Sequence, residues 1–244
     1  QKNRLMTSHF EGYVHAIQEQ EISTKFLVNK RMVDAGKIPK MDNKCRLCRK
    51  AQEDISHVIG GCSKMSVRYY IPLRHDAVAR HIWNALRRQL CEKRSFDKHD
   101  RFPMDNEFID VWEGHEFWWN IPVKTCKRVK HNRPDIVVWN HNTKECLIIE
   151  ISCPLDINIV EKEREKENIY GPLVRNMQMM YPGYAFTFIP VVVGATGYVT
   201  SELSKYLTDA GFSNNELPTI VRKLQLLTVA GTVKIAKTFM KFKV

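Results

Sequence analysis

Cys45, Cys48, His57 and Cys62 fall in the string CRLCRKAQEDISHVIGGC, with the spacing Cys-x2-Cys-x8-His-x4-Cys. Two thiolates separated by two residues can turn onto one ion. A His and a Cys four or five apart can do the same from a helix turn. Three thiolates and an imidazole form a closed tetrahedral set suited to structural zinc (Zn²⁺), with no open position for chemistry. A segment this short buries little, so the ion would supply folding energy directly. The competing reading is four unrelated residues. The seven cysteines are odd in number, unevenly spaced and without a secretory signal, which argues against a disulfide framework. Cys91 and Cys126 have no ligand spacing. Cys146 and Cys153 lie in apolar runs and read as packing residues.

A second constellation is acidic. The runs DIVVW (135–139) and CLIIEIS (146–152) flank the polar turn NHNTKE (140–145), which predicts a hairpin. That pairing sets Asp135 beside Glu150, roughly 5 Å apart. Glu150 is a costly guest in so apolar a run unless it is paired or coordinates a cation. Two adjacent carboxylates suit a hard ion, Mg²⁺ or Mn²⁺. Beside a bound phosphate, such an ion can activate water and stabilise the leaving oxygen. Alternatively, both carboxylates cap strands or pair with Arg133 and a lysine.

The elements that must position these groups follow from periodicity. Residues 10–35 carry helical spacing and predict one or two helices, ended by Gly36 and Pro39. Residues 72–93 predict an amphipathic helix. Val78, Ile82, Ala85, Leu86 and Leu90 share one face, and Arg80, Arg87, Arg88 and Lys93 occupy the rest. Residues 94–106 read as a linker. Strands are expected at 117–123, in the hairpin, and at 184–194. A long helix covers 158–180, charged first and then apolar at Ile169, Leu173, Val174, Met177 and Met180. Residues 200–242 read as helical. Strands with an intervening helix imply a mixed sheet flanked by helices, an α/β layer structure.

The charge balance points to a partner. The chain has 38 Lys and Arg against 27 Asp and Glu, a net charge of +11. From Lys64 to Arg94 eight basic residues face two acids, and Lys124 to Arg133 holds five basic residues and no acid. Such clustering suits a polyphosphate, because each neutralised phosphate releases a counterion. A solvated basic surface is the plainer alternative. The longest apolar stretch, FTFIPVVVGA, falls far short of the roughly 20 residues a membrane span needs, so no membrane partner is expected. The first residues show no signal peptide, and the chain reads as a fragment of something longer.

The string RPDIVVW…LIIEIS resembles the PD-(D/E)xK nuclease signature, with Pro134 and Asp135 as the PD and Glu150 as the second acid. Ordinary members carry a Lys where Ser152 stands. One branch departs in this way: the restriction-like endonuclease of site-specific non-long-terminal-repeat retrotransposons. There a CCHC zinc knuckle precedes the nuclease, and the lysine comes from the following helix, just before a Tyr. The matching string is EKEREKENIY. Lys166 lies four residues before Tyr170, and Lys162 lies one turn earlier on the same face. Ile169 and Asn120 stand where that family has Lys and Asp. The resemblance covers roughly residues 40–240 and extends through VVVGATGYV and LLTVAGTVKIAKTF.

The resemblance implies a restriction-endonuclease-like mixed sheet flanked by helices, preceded by a helical and zinc-knuckle segment. Its divisions would be 1–39 helical lead-in, 40–71 knuckle, 72–106 basic helix and linker, and 107–244 nuclease domain. It implies that Asp135 and Glu150 hold Mg²⁺ or Mn²⁺. Lys166 or Lys162 would orient the attacking water and offset transition-state charge. Arg80, Arg87, Arg88, Lys130 and Arg133 would contact nucleic-acid phosphates. The expected partners are target DNA, the element's RNA and the reverse transcriptase portion of the same polyprotein, acting in the nucleus. Nicking would expose a 3′ end that primes reverse transcription. Ser152 and Asn120 keep one alternative, a catalytically silent nucleic-acid-binding module on a degenerate nuclease fold; a protein-interaction zinc module, which would show no salt-dependent DNA affinity, is a separate third reading.

Weaker signals read as structural. Gly194 to Gly197 predicts a strand-exit turn rather than a phosphate loop. Trp118 and Trp119 predict core packing rather than base stacking. His75 and His81 lack a nearby carboxylate or cysteine partner in the sequence, so surface or DNA-facing roles are expected.

Overall fold

The computed structural model describes residues 8–38, 42–91 and 107–242. The expected linker at 94–106, Lys93 and Pro39 lie outside them. Five strands lie side by side in sequence order: β1 (Phe108–Trp112), β2 (His115–Trp119), β3 (Ile136–Asn140), β4 (Glu145–Ser152) and β5 (Ala185–Val192). The first three pairings are antiparallel and the last is parallel. A parallel pair needs a crossover, and helix α4 (Ile159–Met180) provides it.

Helices cover both sheet faces. On one face Ile136, Val138, Ile149, Ile151, Ile189 and Val191 pack against α3 (Asp76–Leu90), α5 (Glu202–Asp209) and the first half of α6 (Leu217–Lys241). On the other, Val137, Trp139, Cys146 and Ile148 pack against Tyr170, Leu173 and Met177 of α4. Strand β3 is therefore buried on both sides, as its unbroken apolar run requires. Cys146 is a core residue, as its apolar run predicts.

Several boundaries differ from the sequence expectation. The strand expected at 117–123 is β2 at His115–Trp119. Asn120 follows it with φ of 50°, and Pro122 has no N–H to offer a ladder. Strand β1 was not anticipated. It is a short edge strand whose outer residues Ile109 and Val111 are exposed. It joins β2 through the two-residue turn Glu113-Gly114, both at positive φ, which matches the twist of a tight hairpin. The helix expected at 72–93 begins only at Asp76. Residues 66–75 wind as wide π-helical turns around Pro72, because proline removes a backbone donor and crowds the preceding turn. The N-terminal region forms two helices, α1 (Ser8–Gln18) and α2 (Lys25–Asp34), the second capped by the Thr24 hydroxyl. The region 200–242 is α5 and α6, the latter opening with Pro218 in its first turn.

A second core joins α1, the cysteine–histidine segment and the second half of α6. Its members include Ile17, Cys45, Ile55, Val58, Cys62, Met65, Val233, Ile235 and Phe239. Helix α6 thus runs through both cores, contributing Ile220 and Leu224 to the first. Its Gly231 meets residues 66–75 so closely that a Cβ there would collide with the Leu73 carbonyl.

The expectation that Arg87 contacts nucleic acid is overturned. Its guanidinium is buried and lies 2.7 Å from Asp110 of β1. The acid partner sits on the strand that was not anticipated, so the sequence left Arg87 on the solvent face. Removing one partner of a buried ion pair typically costs about 3–5 kcal/mol. Arg87→Ala is therefore expected to lower stability by about that much in urea melts. Arg88→Ala, on an exposed side chain, should stay within about 0.5 kcal/mol of the parent.

Candidate active site and metal centre

The bridge between Lys44 and Gln52, with the Cys45 N–H donating to the Ala51 carbonyl at 2.8 Å, folds residues 44–52 into a tight knuckle. A single π turn, His57–Gly61, returns the chain to Cys62. The ligand atoms of Cys45, Cys48, His57 and Cys62 all lie within 4.8 Å of one another. The Cys45 and Cys62 sulfurs are 3.8 Å apart, and Cys48 Sγ lies 3.3 Å from His57 Nε2. Burial pushes the Cys62 thiol up to about 12. Burial also opposes the Cys48 thiolate, yet the N–H groups of Lys50 and Ala51 outweigh it and bring that thiol down to about 6. Converging thiols and one imidazole, with Cys45 and Cys62 buried and Cys48 and His57 half-buried, are a soft, closed donor set, and the cluster could bind a zinc ion.

Glu53 fastens this knuckle to its neighbours. Fully buried, it accepts from the Lys25 N–H at 3.1 Å, and from Arg46 through its N–H at 2.7 Å and its guanidinium at 2.6 and 3.0 Å. Burial resists the charge, but Arg46 holds the Glu53 carboxyl below the usual range. Arg46 also donates to the Phe242 carbonyl at 2.9 Å, beyond the end of α6.

The carboxylates meet at the other end of the sheet. Ile136 pairs with Ile149, so the register sets Asp135 opposite Glu150. The Asp135 N–H donates to Glu150 Oε2 at 3.3 Å, and the Ile151 N–H donates to Asp135 Oδ2 at 2.7 Å. Strand alternation turns Glu150 toward the α4 face, where Lys166 Nζ donates to Glu150 Oε1 at 2.7 Å. One turn on, Tyr170 donates to the Arg133 carbonyl at 3.2 Å and stacks on Phe188. Glu150 is 6% exposed. Burial, and then the charge of Asp135, raise its carboxyl above the ordinary range, with Lys166 opposing.

The two candidate lysines are thereby separated. Lys162 pairs with Glu165 of its own helix, whereas Lys166 reaches across to the carboxylate pair. Ser152 lies two residues beyond Glu150, so alternation assigns it the same face. Lys166 brings to that face, from α4, the charge a Lys at 152 would have carried. Asn120 borders the site through its N–H, which donates to the Asp135 carbonyl at 2.8 Å.

His75 corrects a sequence expectation. Its Nε2 lies 3.1 Å from Asp135 Oδ2 and its Nδ1 lies 3.0 Å from Asp76 Oδ1. Burial works against the imidazolium, but hydrogen bonds to Asp135 and Asp76 carry its pKa to about 10. Sequence reasoning missed it because Asp135 is 60 residues away. His81 lies one to two turns along α3. Burial, with Lys223 and Arg88 nearby, lowers its pKa.

The candidate phosphate-contacting side chains are placed as follows. Arg133, next to Pro134 and Asp135, is half exposed and pairs with Glu107 at 2.8 Å. Arg80 lies 3.9 Å from Asp76, and Arg88 and Lys130 are exposed. The two Trp residues pack as expected: Trp119 meets Trp83 edge-on at 5.8 Å, and Trp118 tilts onto Trp139 at 5.8 Å. The turn at Gly194 to Gly197 leaves β5 and is held by Asp156, which accepts from the Thr196 N–H at 3.0 Å. Among the described residues, no helix is long and apolar enough to cross a membrane. No protein-family model matches the chain, and no curated protein is found to be similar to it.

Proposed function

We propose that the chain is a metal-dependent DNA endonuclease, the zinc-knuckle and restriction-like nuclease part of a site-specific non-long-terminal-repeat retrotransposon polyprotein. The observation that carries this reading is the convergence of Asp135, Glu150 and Lys166 from β3, β4 and α4. The donor set fits Mg²⁺ or Mn²⁺. The two acids lie near enough for the charge of Asp135 to raise the Glu150 carboxyl, and Asp135 Oδ1 has no protein partner among the described residues, whereas Oδ2 is held from two sides. When bound, such an ion would supply an activated water and a polarised phosphate.

The protein's own groups do the rest. Lys166 orients the water and offsets charge on the phosphorane-like transition state. Arg80, Arg88, Lys130 and Arg133 hold flanking phosphates and set the register of the strand. The Cys45, Cys48, His57 and Cys62 set holds structural zinc. The nicked strand ends in a 3′ hydroxyl that primes reverse transcription by the polymerase part of the same polyprotein, with the element's RNA as template, in the nucleus.

The test is nicking of supercoiled plasmid by the zinc-loaded protein in Mg²⁺ or Mn²⁺, beside Asp135→Ala. Cutting by the parent alone supports the nuclease. Salt-sensitive binding with no cutting by either protein favours the silent nucleic-acid-binding module, the reading that Asn120 at the border of the site keeps open. The same assay separates the lysines. Lys166→Ala is expected to slow nicking about 100-fold or more, on the scale of losing one preorganised transition-state donor. Lys162→Ala should stay within about threefold, since its partner is Glu165 on its own helix and the loss of an exposed pair is worth under about 1 kcal/mol. Equal losses from both lysines would remove Lys166 from its assigned role.

A further inference from the structure

Asp135 is gripped from a part of the chain that lies outside the hairpin. Its Oδ2 accepts the Ile151 N–H from β4 and faces His75 Nε2 at 3.1 Å. A carboxylate only accepts, so His75 is the donor in that contact. Its other ring nitrogen is turned by Asp76 Oδ1 at 3.0 Å. The ring is thus fixed at both nitrogens, and Asp135 is fixed at one oxygen, leaving Oδ1 without a protein partner among the described residues.

His75 is itself held by the cysteine–histidine segment. It is the last residue of the π-helical stretch Ser66–His75, which leaves the Cys62 ligand turn directly. Tyr70 ties that stretch back to the knuckle, accepting from the Cys62 N–H at 3.1 Å and donating to the Val58 carbonyl at 2.8 Å. Arg74, buried beside His75, donates to Thr232 of α6 at 3.3 Å and lies 5.0 Å over the Tyr70 ring. The close approach of Leu73 to Gly231 leaves the stretch little room to slide.

We propose that His75 is a positioning residue for the carboxylate pair, through which the knuckle and its exit turn fix the orientation of Asp135 toward a divalent ion. The inference rests on the reading of Asp135 and Glu150 as an ion site. Hydrogen-bond partners behind metal-ligating carboxylates typically set about 10–100-fold in metal affinity or activity.

The experiment is a Mn²⁺ titration of the zinc-loaded protein followed by the electron paramagnetic resonance of free Mn²⁺, run beside plasmid nicking. His75→Ala is expected to weaken Mn²⁺ binding about tenfold or more and to slow nicking, with zinc content and DNA affinity unchanged. His75→Gln keeps a donor at the Nε2 position and is expected to recover most of both. Asp76→Ala frees the ring while leaving His75 in place, and should give an intermediate loss that stands even if His75→Ala folds poorly. Parent-like Mn²⁺ affinity in both His75→Ala and Asp76→Ala overturns the proposal. Asp135→Asn distinguishes the two levels. If it weakens Mn²⁺ binding while the His75 and Asp76 variants bind the ion like the parent, only the positioning role fails. If it too binds Mn²⁺ like the parent, the ion site itself fails.

Discussion

Asp135→Asn is expected to bind DNA as tightly as the parent and to nick it at least about 1,000-fold more slowly in Mg²⁺. The substitution is nearly isosteric. The amide oxygen can still accept from Ile151 and His75, so the grip on Oδ2 survives. What is lost is the negative charge at Oδ1. An ion polarising a phosphate and its attacking water contributes several kcal/mol. At about 1.4 kcal/mol per factor of ten, losing its proper seat costs about three decades or more. Binding should hardly change, because the phosphate contacts we propose come from Arg80, Arg88, Lys130 and Arg133. Single-turnover nicking and fluorescence anisotropy on one duplex read the two quantities separately. Parent-like nicking by Asp135→Asn would remove this carboxylate from the chemistry. A parallel loss of binding would mean that the substitution had disturbed the fold.

Stripping zinc is expected to unfold residues 42–75 and to release the second half of α6 with them. Cys45 and Cys62 are fully buried members of the core that those elements share. Without a cation, three thiols and an imidazole crowd one point, and burial pushes the Cys62 thiol up. Structural zinc contributes about 10–16 kcal/mol in small knuckles, as much as or more than the 5–15 kcal/mol net stability of a typical domain. Even about 5 kcal/mol lost would lower the melting point by about 10–20 °C at this size. Calorimetry before and after chelation, with metal analysis confirming removal, measures the shift. His57→Ala should reproduce it. Hydrogen exchange should show protection lost in 42–75 and 231–241 while β3 and β4 keep theirs. An unchanged melt in zinc-free protein would make the cluster incidental to stability.

The sequence shows most where the determinants are local. The polar turn between β3 and β4 fixes their register, so the meeting of Asp135 and Glu150 follows from the alternation of two runs and the length of one turn. The cysteine–histidine spacing is likewise a matter of a few residues. Long-range pairing hides the rest. Arg87 reads as solvent-facing until β1 supplies Asp110. His75 reads as partnerless until the fold brings Asp135 to it across 60 residues of sequence. Lys162 and Lys166 share a helical face in the sequence, and only the seat of α4 on the sheet decides which reaches Glu150. The wide turns of residues 66–75 follow from Pro72 together with the fit against Gly231, and only the proline is visible beforehand.

Helix α6 gives the fold an order in time. Residues early in the sequence, from Ile17 through Met65, have a core only when Val233, Ile235 and Phe239 complete it. During synthesis the N-terminal third must therefore wait, with apolar surface open, until residues 217–241 have left the ribosome. The carboxylate pair inherits that delay, because its His75 anchor sits on the stretch that Gly231 and Thr232 hold in place. A nascent chain shorter than this helix would have its hairpin and both acids but no settled grip on Asp135. For the nuclease we propose, competence to cut would be withheld until translation has passed α6.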